Sequence, residues 1–246
     1  MAPPDNDVLR ALSLRCSLGG HEGATDVLTG ISVGVREGEL LAVTGPRGSG
    51  KTTLLRCLSG QLVAQEGEVW FDGVPVHTLP RAQRERLRRD RFGWIDPEPG
   101  LVPELTAWEN AALPLLLRGI SHRAARATAT EWLERLDVGA AARKRPAALP
   151  HAQRQRVAIA RALVTTPSVL FADEPTATLH RADGAQVLRT LTAAARSHGI
   201  TVLLATHDPD VAALADRALA LIDGRHAGPV PPATGAEGVS ACSLSV

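Results

Sequence analysis

Residues 45–53 read G-P-R-G-S-G-K-T-T, and this stretch decides the fold of the chain. It follows an apolar run at 40–43 and precedes a helix-compatible segment at 54–58, so the pattern G-x-x-x-x-G-K-[ST] lies between a predicted strand and a predicted helix. The glycines allow backbone N–H groups and the positive end of the helix to point at one anion. A glycine-rich turn with an incidental lysine is the alternative, but strand, spacing and helix together predict a phosphate-binding loop.

Each residue of this loop is a candidate for contact with a phosphate chain. Lys51 would reach the outer phosphates as a mobile charge, and the Thr52 hydroxyl would help to hold the magnesium ion that accompanies them. The residues predicted to contact the nucleotide are Gly45, Pro46, Arg47, Gly48, Ser49, Gly50, Lys51, Thr52 and Thr53.

Length and composition exclude several classes of protein. The chain has 246 residues, a formal net charge of +1 and a hydrophobic fraction of 44%. A charge this low argues against a dedicated nucleic-acid surface, and no run approaches the roughly 20 apolar residues of a membrane helix. The N-terminus lacks the basic and apolar regions of a secretory signal, so we expect a cytoplasmic protein. Its three cysteines, Cys16, Cys57 and Cys242, show no metal or disulfide spacing and are expected to be reduced thiols.

The order of periodic segments predicts an α/β fold. Alternating residues at 8–16 and 27–35 indicate an antiparallel β subdomain, separated by a turn at 19–23. From 40 to 220 strands alternate with helices, which predicts a doubly wound, mainly parallel sheet with ligands at the carboxyl ends of its strands. Together with the phosphate-binding loop, this is the expectation of a P-loop NTPase fold. A helical subdomain is predicted as an insert at about 98–163, within a domain at 8–226. Pro, Gly, Ala and Ser then dominate, and 227–246 are expected to form a flexible tail.

The arginine-rich stretch at 81–91 admits two interpretations. One is a nucleic-acid patch. The other is a solvated helix, which the interleaved Glu85 and Asp90 and the absence of an aromatic residue favour.

Reactive residues follow two of the predicted parallel strands. Asp173 and Glu174 follow the apolar run at 169–172, and His207 follows the run at 200–205. Asp173 is the expected second magnesium ligand beside Thr52, while Glu174 would orient or deprotonate a water aimed at the terminal phosphate. His207 would donate a hydrogen bond to that phosphate. The alternatives are an acidic pair that merely starts a helix and a structural histidine.

Four segments together resemble the ATP-binding subunit of an ABC transporter. They are the phosphate loop, L-P-H-A-Q-R-Q-R-V-A-I-A-R-A-L at 149–163, V-L-F-A-D-E-P-T-A-T-L-H at 169–180 and L-L-A-T-H-D at 203–208. With V-P-E-L-T-A-W-E-N-A-A-L-P-L at 102–115, the chain is most similar to compact ATPases that serve lipoprotein-release, macrolide-export and cell-division permeases. The resemblance implies ATP and Mg²⁺ as cofactors, Asp173 on the metal, Glu174 as catalytic base and His207 as switch histidine. It also implies a head-to-tail ATPase dimer and a membrane permease partner, which would place the chain peripherally on the inner face of the cell membrane.

The departures from the family pattern fall in particular places. The signature L-S-G-G-Q is L-P-H-A-Q here, and Pro150 has neither an N–H nor a hydroxyl, although proline suits the first turn of a helix. The glutamine that links nucleotide and permease aligns with Pro97, a usual aspartate is His180, and the aromatic that stacks on adenine aligns near Leu18. The residues that a subunit applies to its own nucleotide are present, whereas the segment lent to its neighbour is altered. We therefore predict an asymmetric dimer with one hydrolytic site; the alternative is a regulatory or assembly ATPase homologue with little turnover.

Overall fold

The computed structural model describes residues 7–19 and 25–227, which form two β-sheets and seven α-helices. The strands are β1 (Asp7–Leu18), β2 (Thr25–Arg36), β3 (Leu40–Thr44), β4 (Glu66–Phe71), β5 (Val74–Pro75), β6 (Phe92–Ile95), β7 (Val169–Asp173), β8 (Thr201–Thr206), β9 (Arg217–Ile222) and β10 (Arg225–His226). The helices are α1 (Lys51–Leu58), α2 (Arg81–Arg91), α3 (Ala107–Leu117), α4 (His122–Arg135), α5 (His151–Leu163), α6 (Arg181–Ser197) and α7 (Pro209–Ala212). The stretch at 81–91 is thus a helix, as one of its two interpretations requires.

The larger sheet is almost entirely parallel. Its strand order is β10-β9-β3-β8-β7-β6, and only the β10–β9 pair is antiparallel. Strands β3, β7 and β8 are adjacent and have continuous apolar sequences, as expected of parallel strands covered on both faces. Their carboxyl ends therefore lie side by side at one edge of the sheet, where ligands bind in folds of this kind.

Alternate residues of the parallel sheet belong to two different cores. Leu41 and Val43 face a layer that contains α1 and the antiparallel sheet, whereas Leu170 and Leu204 face a layer that contains α3, α4, α5 and α6. The two-residue period of a strand makes this division possible, since both faces of the sheet are buried. The parallel sheet is consequently the middle layer of the molecule.

The smaller sheet is antiparallel, with the order β2-β1-β4-β5. It covers one side of α1, the helix that follows the phosphate loop, so this helix lies between the two sheets. Cys16 on β1 and Cys57 on α1 are both buried in this layer as free thiols, and burial raises the pKa of Cys57. The arrangement fixes the direction of α1 and hence the position of the loop before it.

Helices α3, α4 and α5 lie between β6 and β7 in the chain, where the sequence predicts a helical insert. Trp108 and Trp132 are both buried among them and belong to the same hydrophobic core. Helix α3 begins with a capping box. The Thr106 side chain accepts a hydrogen bond from the backbone N–H of Glu109, and the Glu109 side chain accepts one from the backbone N–H of Thr106. The domain boundaries themselves remain a prediction.

The end of the predicted domain forms a short strand. Residues Arg225–His226 pair with Ile222 and Leu221, and Gly224 O accepts a hydrogen bond from Thr29 N of β2. The predicted tail lies outside the described residues from 228 onward, and so does most of the predicted turn at 19–23. In the described part of the chain, none of the helices combines the length and the apolar character needed to cross a membrane.

Candidate functional site

The phosphate-loop residues connect the carboxyl end of β3 to the start of α1. Gly45 and Gly50 have φ angles of 149° and 101°, in a region that side chains with a Cβ rarely adopt. A Cβ at Gly45 would lie 2.2 Å from Leu221 O, and one at Gly50 would lie 2.8 Å from Val27 O. Both the backbone conformation and the available space therefore require glycine. Pro46, Arg47 and Gly48 form the exposed tip of the loop.

The interior of the loop contains a buried ammonium and a buried hydroxyl. Lys51 has only 6% of its surface exposed, and its Nζ donates hydrogen bonds to Gly45 O at 2.8 Å and Pro46 O at 2.9 Å. Ser49 Oγ is buried and has no hydrogen-bond partner among the described residues. A buried hydroxyl without a partner is costly, and a phosphate oxygen is the kind of acceptor that would satisfy it. These residues fit a nucleotide phosphate chain, with the amino end of α1 directed at it.

Thr52 and Asp173 meet at the carboxyl edge of the sheet. Thr52 Oγ1 donates to both carboxylate oxygens of Asp173, at 3.1 and 2.8 Å, and Asp173 is 3% exposed. Burial raises the pKa of Asp173, the hydrogen bond from Thr52 opposes that effect, and the charge of Glu174 adds to it. In the described residues no group of three His, Cys, Asp or Glu side chains could hold a metal by itself. Thr52 and Asp173 together supply oxygen ligands for only part of a coordination shell. This suits Mg²⁺, which usually takes further oxygen ligands from substrate phosphates and water.

Glu174 lies between the ammonium of Lys51 and the imidazole of His207, which is positively charged only when protonated. Its Oε1 is 3.6 Å from Lys51 Nζ, and both of its carboxylate oxygens are 2.9 Å from Nδ1 of His207. Glu174 has a φ angle of 45°, which is strained for a residue with a side chain and is retained only where the surroundings fix it. The three residues come from three separate segments, after β3, β7 and β8. The structure therefore brings together five predicted side chains: the phosphate-binding Lys51, the metal-binding Thr52 and Asp173, and the catalytic Glu174 and His207.

Two of the segments that depart from the family pattern, those at Pro97 and at 149–153, meet through Thr178. The sequence predicts Pro150 in the first turn of a helix, and the structure places it one residue earlier, at the N-cap of α5. The carbonyl of Pro150 accepts a hydrogen bond from Arg154 N. His151 Nε2 lies 2.6 Å from Thr178 Oγ1, whose hydroxyl also contacts Pro97 O at 3.4 Å. His180 caps α6 without a side-chain hydrogen bond, and Leu18 is 46% exposed.

The sequence prediction missed two polar residues on α5, the buried Gln155 and the partly buried Arg161. Gln155 and Arg161 donate hydrogen bonds to the backbone of the loop that follows β6. A polar residue on the apolar face of a helix is a detectable signal, because Gln155 is flanked at helical spacing by Ala158 and Ile159, which are both buried. The partners of Gln155 could not be predicted from that signal.

With this geometry established, the comparison with known families is decisive. The sequence pattern of the family described as ABC transporter matches residues 28–177, more than half of the chain. The chain belongs to the ABC transporter family. The P-loop NTPase fold and the class of ATP hydrolase predicted for this ABC cassette are thereby confirmed.

Relatives of the cassette match it over most of its length. It is 40% identical to the ABC transporter ATP-binding protein YbbA of Escherichia coli strain K12, over 90% of this chain and 97% of YbbA. It is 41% identical to the macrolide export ATP-binding/permease protein MacB of Marinobacter nauticus, over 85% of this chain but 32% of MacB. Among solved structures, the dimeric ATP-binding cassette MJ0796 in a post-hydrolysis state, bound to ADP and Pi, superposes with a TM-score of 0.84. That cassette is 32% identical, and the match covers 89% of this chain and 96% of MJ0796.

The buried carboxyl of Asp173 leads to a prediction about stability and pH. Because its folded-state pKa is raised above the ordinary value of 3.8, the folded chain binds the extra proton and loses stability as pH rises between those two values. Asp173→Asn removes the charge, so we expect a higher Tm than that of the original protein at pH 7. Each 1 kcal/mol gained corresponds to about 2–4 °C in a chain of this size.

Thermal unfolding in the absence of nucleotide and metal, measured across pH, checks this expectation. The difference in Tm should shrink as pH falls below 3.8, where the original aspartate is protonated in both states. The exposed Asp223 provides the control, since Asp223→Asn should give no such pH-dependent gain. A lower Tm for Asp173→Asn at neutral pH would contradict the argument.

Proposed function

We propose that this cassette is the ATP-binding subunit of an ABC transporter, which binds MgATP and hydrolyses it to drive a separate membrane permease. We further propose that it works as an asymmetric pair with a second, different cassette. The supporting observation is that Lys51, Thr52, Asp173, Glu174 and His207 meet at one edge of the sheet, while the segment at 149–153 lacks the usual donors.

Each of the five side chains has a distinct proposed role. Lys51 would bind the outer phosphates, and Thr52 with Asp173 would hold Mg²⁺, whose charge offsets that of the phosphate oxygens when it is bound. Glu174 would accept a proton from the attacking water on a carboxylate oxygen. A hydrogen bond from His207 to Glu174 requires the proton on Nδ1. Arrival of the phosphates would attract both Lys51 and His207, which leaves Glu174 available to the water.

The asymmetry rests on the segment at 149–153. A backbone N–H is absent at Pro150, and the His151 ring is engaged with Thr178. Loss of one donor to a developing negative charge costs about 2.7–4 kcal/mol, or a hundredfold or more in rate. Since MJ0796 was solved as a dimer, a partner cassette is a reasonable expectation. A partner with the sequence L-S-G-G-Q would complete the site on the phosphate loop of this chain, whereas two copies of this chain would give two impaired sites.

The relatives support a permease partner. MacB is named as an ATP-binding/permease protein, and the cassette matches about a third of it. YbbA is named as an ABC transporter ATP-binding protein and is matched over nearly its whole length. A permease partner would hold this chain at the inner face of the cell membrane, on the cytoplasmic side.

Release of phosphate, measured at steady state, tests the asymmetric pair. We expect little release from the chain alone and much more when it is mixed with a cassette that has an intact L-S-G-G-Q segment. In that mixture, Lys51→Ala in this chain should abolish release, while the equivalent change in the partner should leave most of it. Equal losses from the two changes would contradict the asymmetry.

The same assay separates the alternative function. A regulatory or assembly ATPase would bind ATP with normal affinity and release no phosphate with any partner. The altered residues Pro97, Pro150 and His151 are the observation that favours this alternative.

A further inference from the structure

The loop at 96–100, which follows β6, is held by side chains of α5. Gln155 Nε2 donates to Asp96 O at 3.0 Å, and Arg161 donates to Pro99 O at 3.0 Å and to Gly100 O at 2.8 Å. The loop has the sequence D-P-E-P-G, so two of its five residues have no N–H and a fixed φ. The backbone of this loop therefore offers more hydrogen-bond acceptors than donors, and other side chains hold it mainly through its carbonyl groups.

The side-chain amide of Gln155 also reaches the segment that carries the candidate base. The same Nε2 that contacts Asp96 O donates to Pro175 O, again at 3.0 Å. Pro175 is the residue after Glu174, and a proline at that position cannot contribute an N–H of its own. One fully buried amide thus connects the loop at 96–100 to the backbone immediately beside Glu174.

The environment of Gln155 is poorly suited to a purely structural role. Its Oε1 is buried and has no hydrogen-bond partner in the part of the chain that the structure describes, which is destabilising compared with an apolar side chain of the same size. Glu174, in turn, has the strained φ angle of 45°, which only its surroundings can maintain. The hydrogen bond from Gln155 to Pro175 O is one of the contacts that fix this stretch of backbone.

We infer that Gln155 is a positioning residue for ATP hydrolysis, which sets the backbone of Glu174 relative to the loop at 96–100. It links the two segments where Pro97 has no side-chain hydrogen-bonding group to do so. This inference depends on the proposed function, because it concerns the rate of hydrolysis. A movement of the loop would be transmitted to Glu174 through the Gln155 amide, alongside the longer contact of Thr178 Oγ1 with Pro97 O at 3.4 Å, whereas binding of the phosphates by Lys51 and the loop at 45–50 would be unaffected.

Gln155→Met tests the inference, since methionine has a similar length and makes no hydrogen bond to either carbonyl. In the pair with a partner cassette, we expect kcat to fall between about tenfold and a hundredfold, as a small misplacement of a catalytic group can do. The dissociation constant for MgATP, measured by calorimetry, should change less than about twofold, because uniform binding is not altered. The matched control is Val157→Ala on the same helix, at another fully buried position. This control should lower Tm and leave kcat unchanged.

A combination with Glu174→Gln shows whether Gln155 acts through Glu174. If it does, Gln155→Met should cause little further loss in the background of Glu174→Gln. An equal loss in both backgrounds would overturn the inference, and so would a fall in kcat that Val157→Ala reproduces. If the original pair releases phosphate and Gln155→Met releases it at the same rate, the inference fails while the proposed function stands. If the original pair releases none, both are wrong.

Gln155→Glu provides a second variant that keeps the shape of the side chain. An ionised glutamate has no proton to donate to Asp96 O or Pro175 O, but a protonated one has a single O–H. Its kcat relative to the original protein should therefore recover in part as pH falls. A ratio that does not change with pH would count against the hydrogen bond as the cause.

Discussion

Glu174→Gln is expected to lower the rate of ATP hydrolysis by about 10²–10⁴-fold, the range for loss of a general base. The glutamine has the same shape, so it can still accept a hydrogen bond from His207, but it can no longer take a proton from water. Removal of a negative charge beside the bound phosphates should also favour the ATP-bound state. In the pair with a partner cassette, we therefore expect a dimer that persists with ATP, visible by gel filtration together with a loss of phosphate release.

The exposed Glu104 provides the control for this substitution. Glu104→Gln removes the same charge from the surface and should leave both the rate and the elution volume as they are. Phosphate release by Glu174→Gln at the original rate would exclude Glu174 as the base. Elution of Glu174→Gln as a monomer in the presence of ATP would argue against a mechanism in which two cassettes enclose the nucleotide.

Lys51→Ala is expected to weaken the binding of MgATP by about 10- to 150-fold. Hydrogen bonds to charged groups contribute about 1.5–3 kcal/mol, and Lys51 is the ammonium that lies within the phosphate loop. Calorimetry with MgATP measures the effect directly. Because Lys51 also contacts two backbone carbonyls, the Tm of the variant has to be measured alongside its affinity.

The chain offers a matched control for this experiment, since Lys51 and Lys144 are its only lysines. Lys144 is exposed and lies before α5, in a different part of the chain from the loop. Lys144→Ala should bind MgATP as the original protein does. If Lys51→Ala also retained full affinity, the proposal of an ATP-driven subunit would have to be abandoned.

Local sequence patterns were sufficient to predict the main features of the fold and which side chains meet at the candidate site. The loop at 45–53 has its own signals in the spacing of its glycines and in the strand and helix around it. Asp173 and His207 end or follow apolar runs, and the rule that parallel strands share one carboxyl edge brings them together. Thr52 and Asp173 are 121 residues apart in sequence, yet their hydrogen bond could be anticipated from that rule.

Other features depend on contacts that no local pattern specifies. The two residues of β10 form a strand only because β9 and β2 lie beside them. Gln155 contacts Asp96 and Pro175, which come from two other segments, and the amide has no motif that indicates those partners. The positive φ angle of Glu174 was likewise not predictable, since an acidic residue after a strand is compatible with ordinary helix-start geometry.

The resting position of Lys51 has a consequence for how fast the cassette is loaded. Its ammonium has already lost its water during folding and is surrounded by protein oxygens from Gly45, Pro46 and Glu174. An arriving phosphate chain therefore replaces one set of oxygen neighbours with another, and the Lys51 ammonium does not have to be dehydrated at that moment. We therefore expect nucleotide capture to be fast compared with the later steps of cleavage and product release.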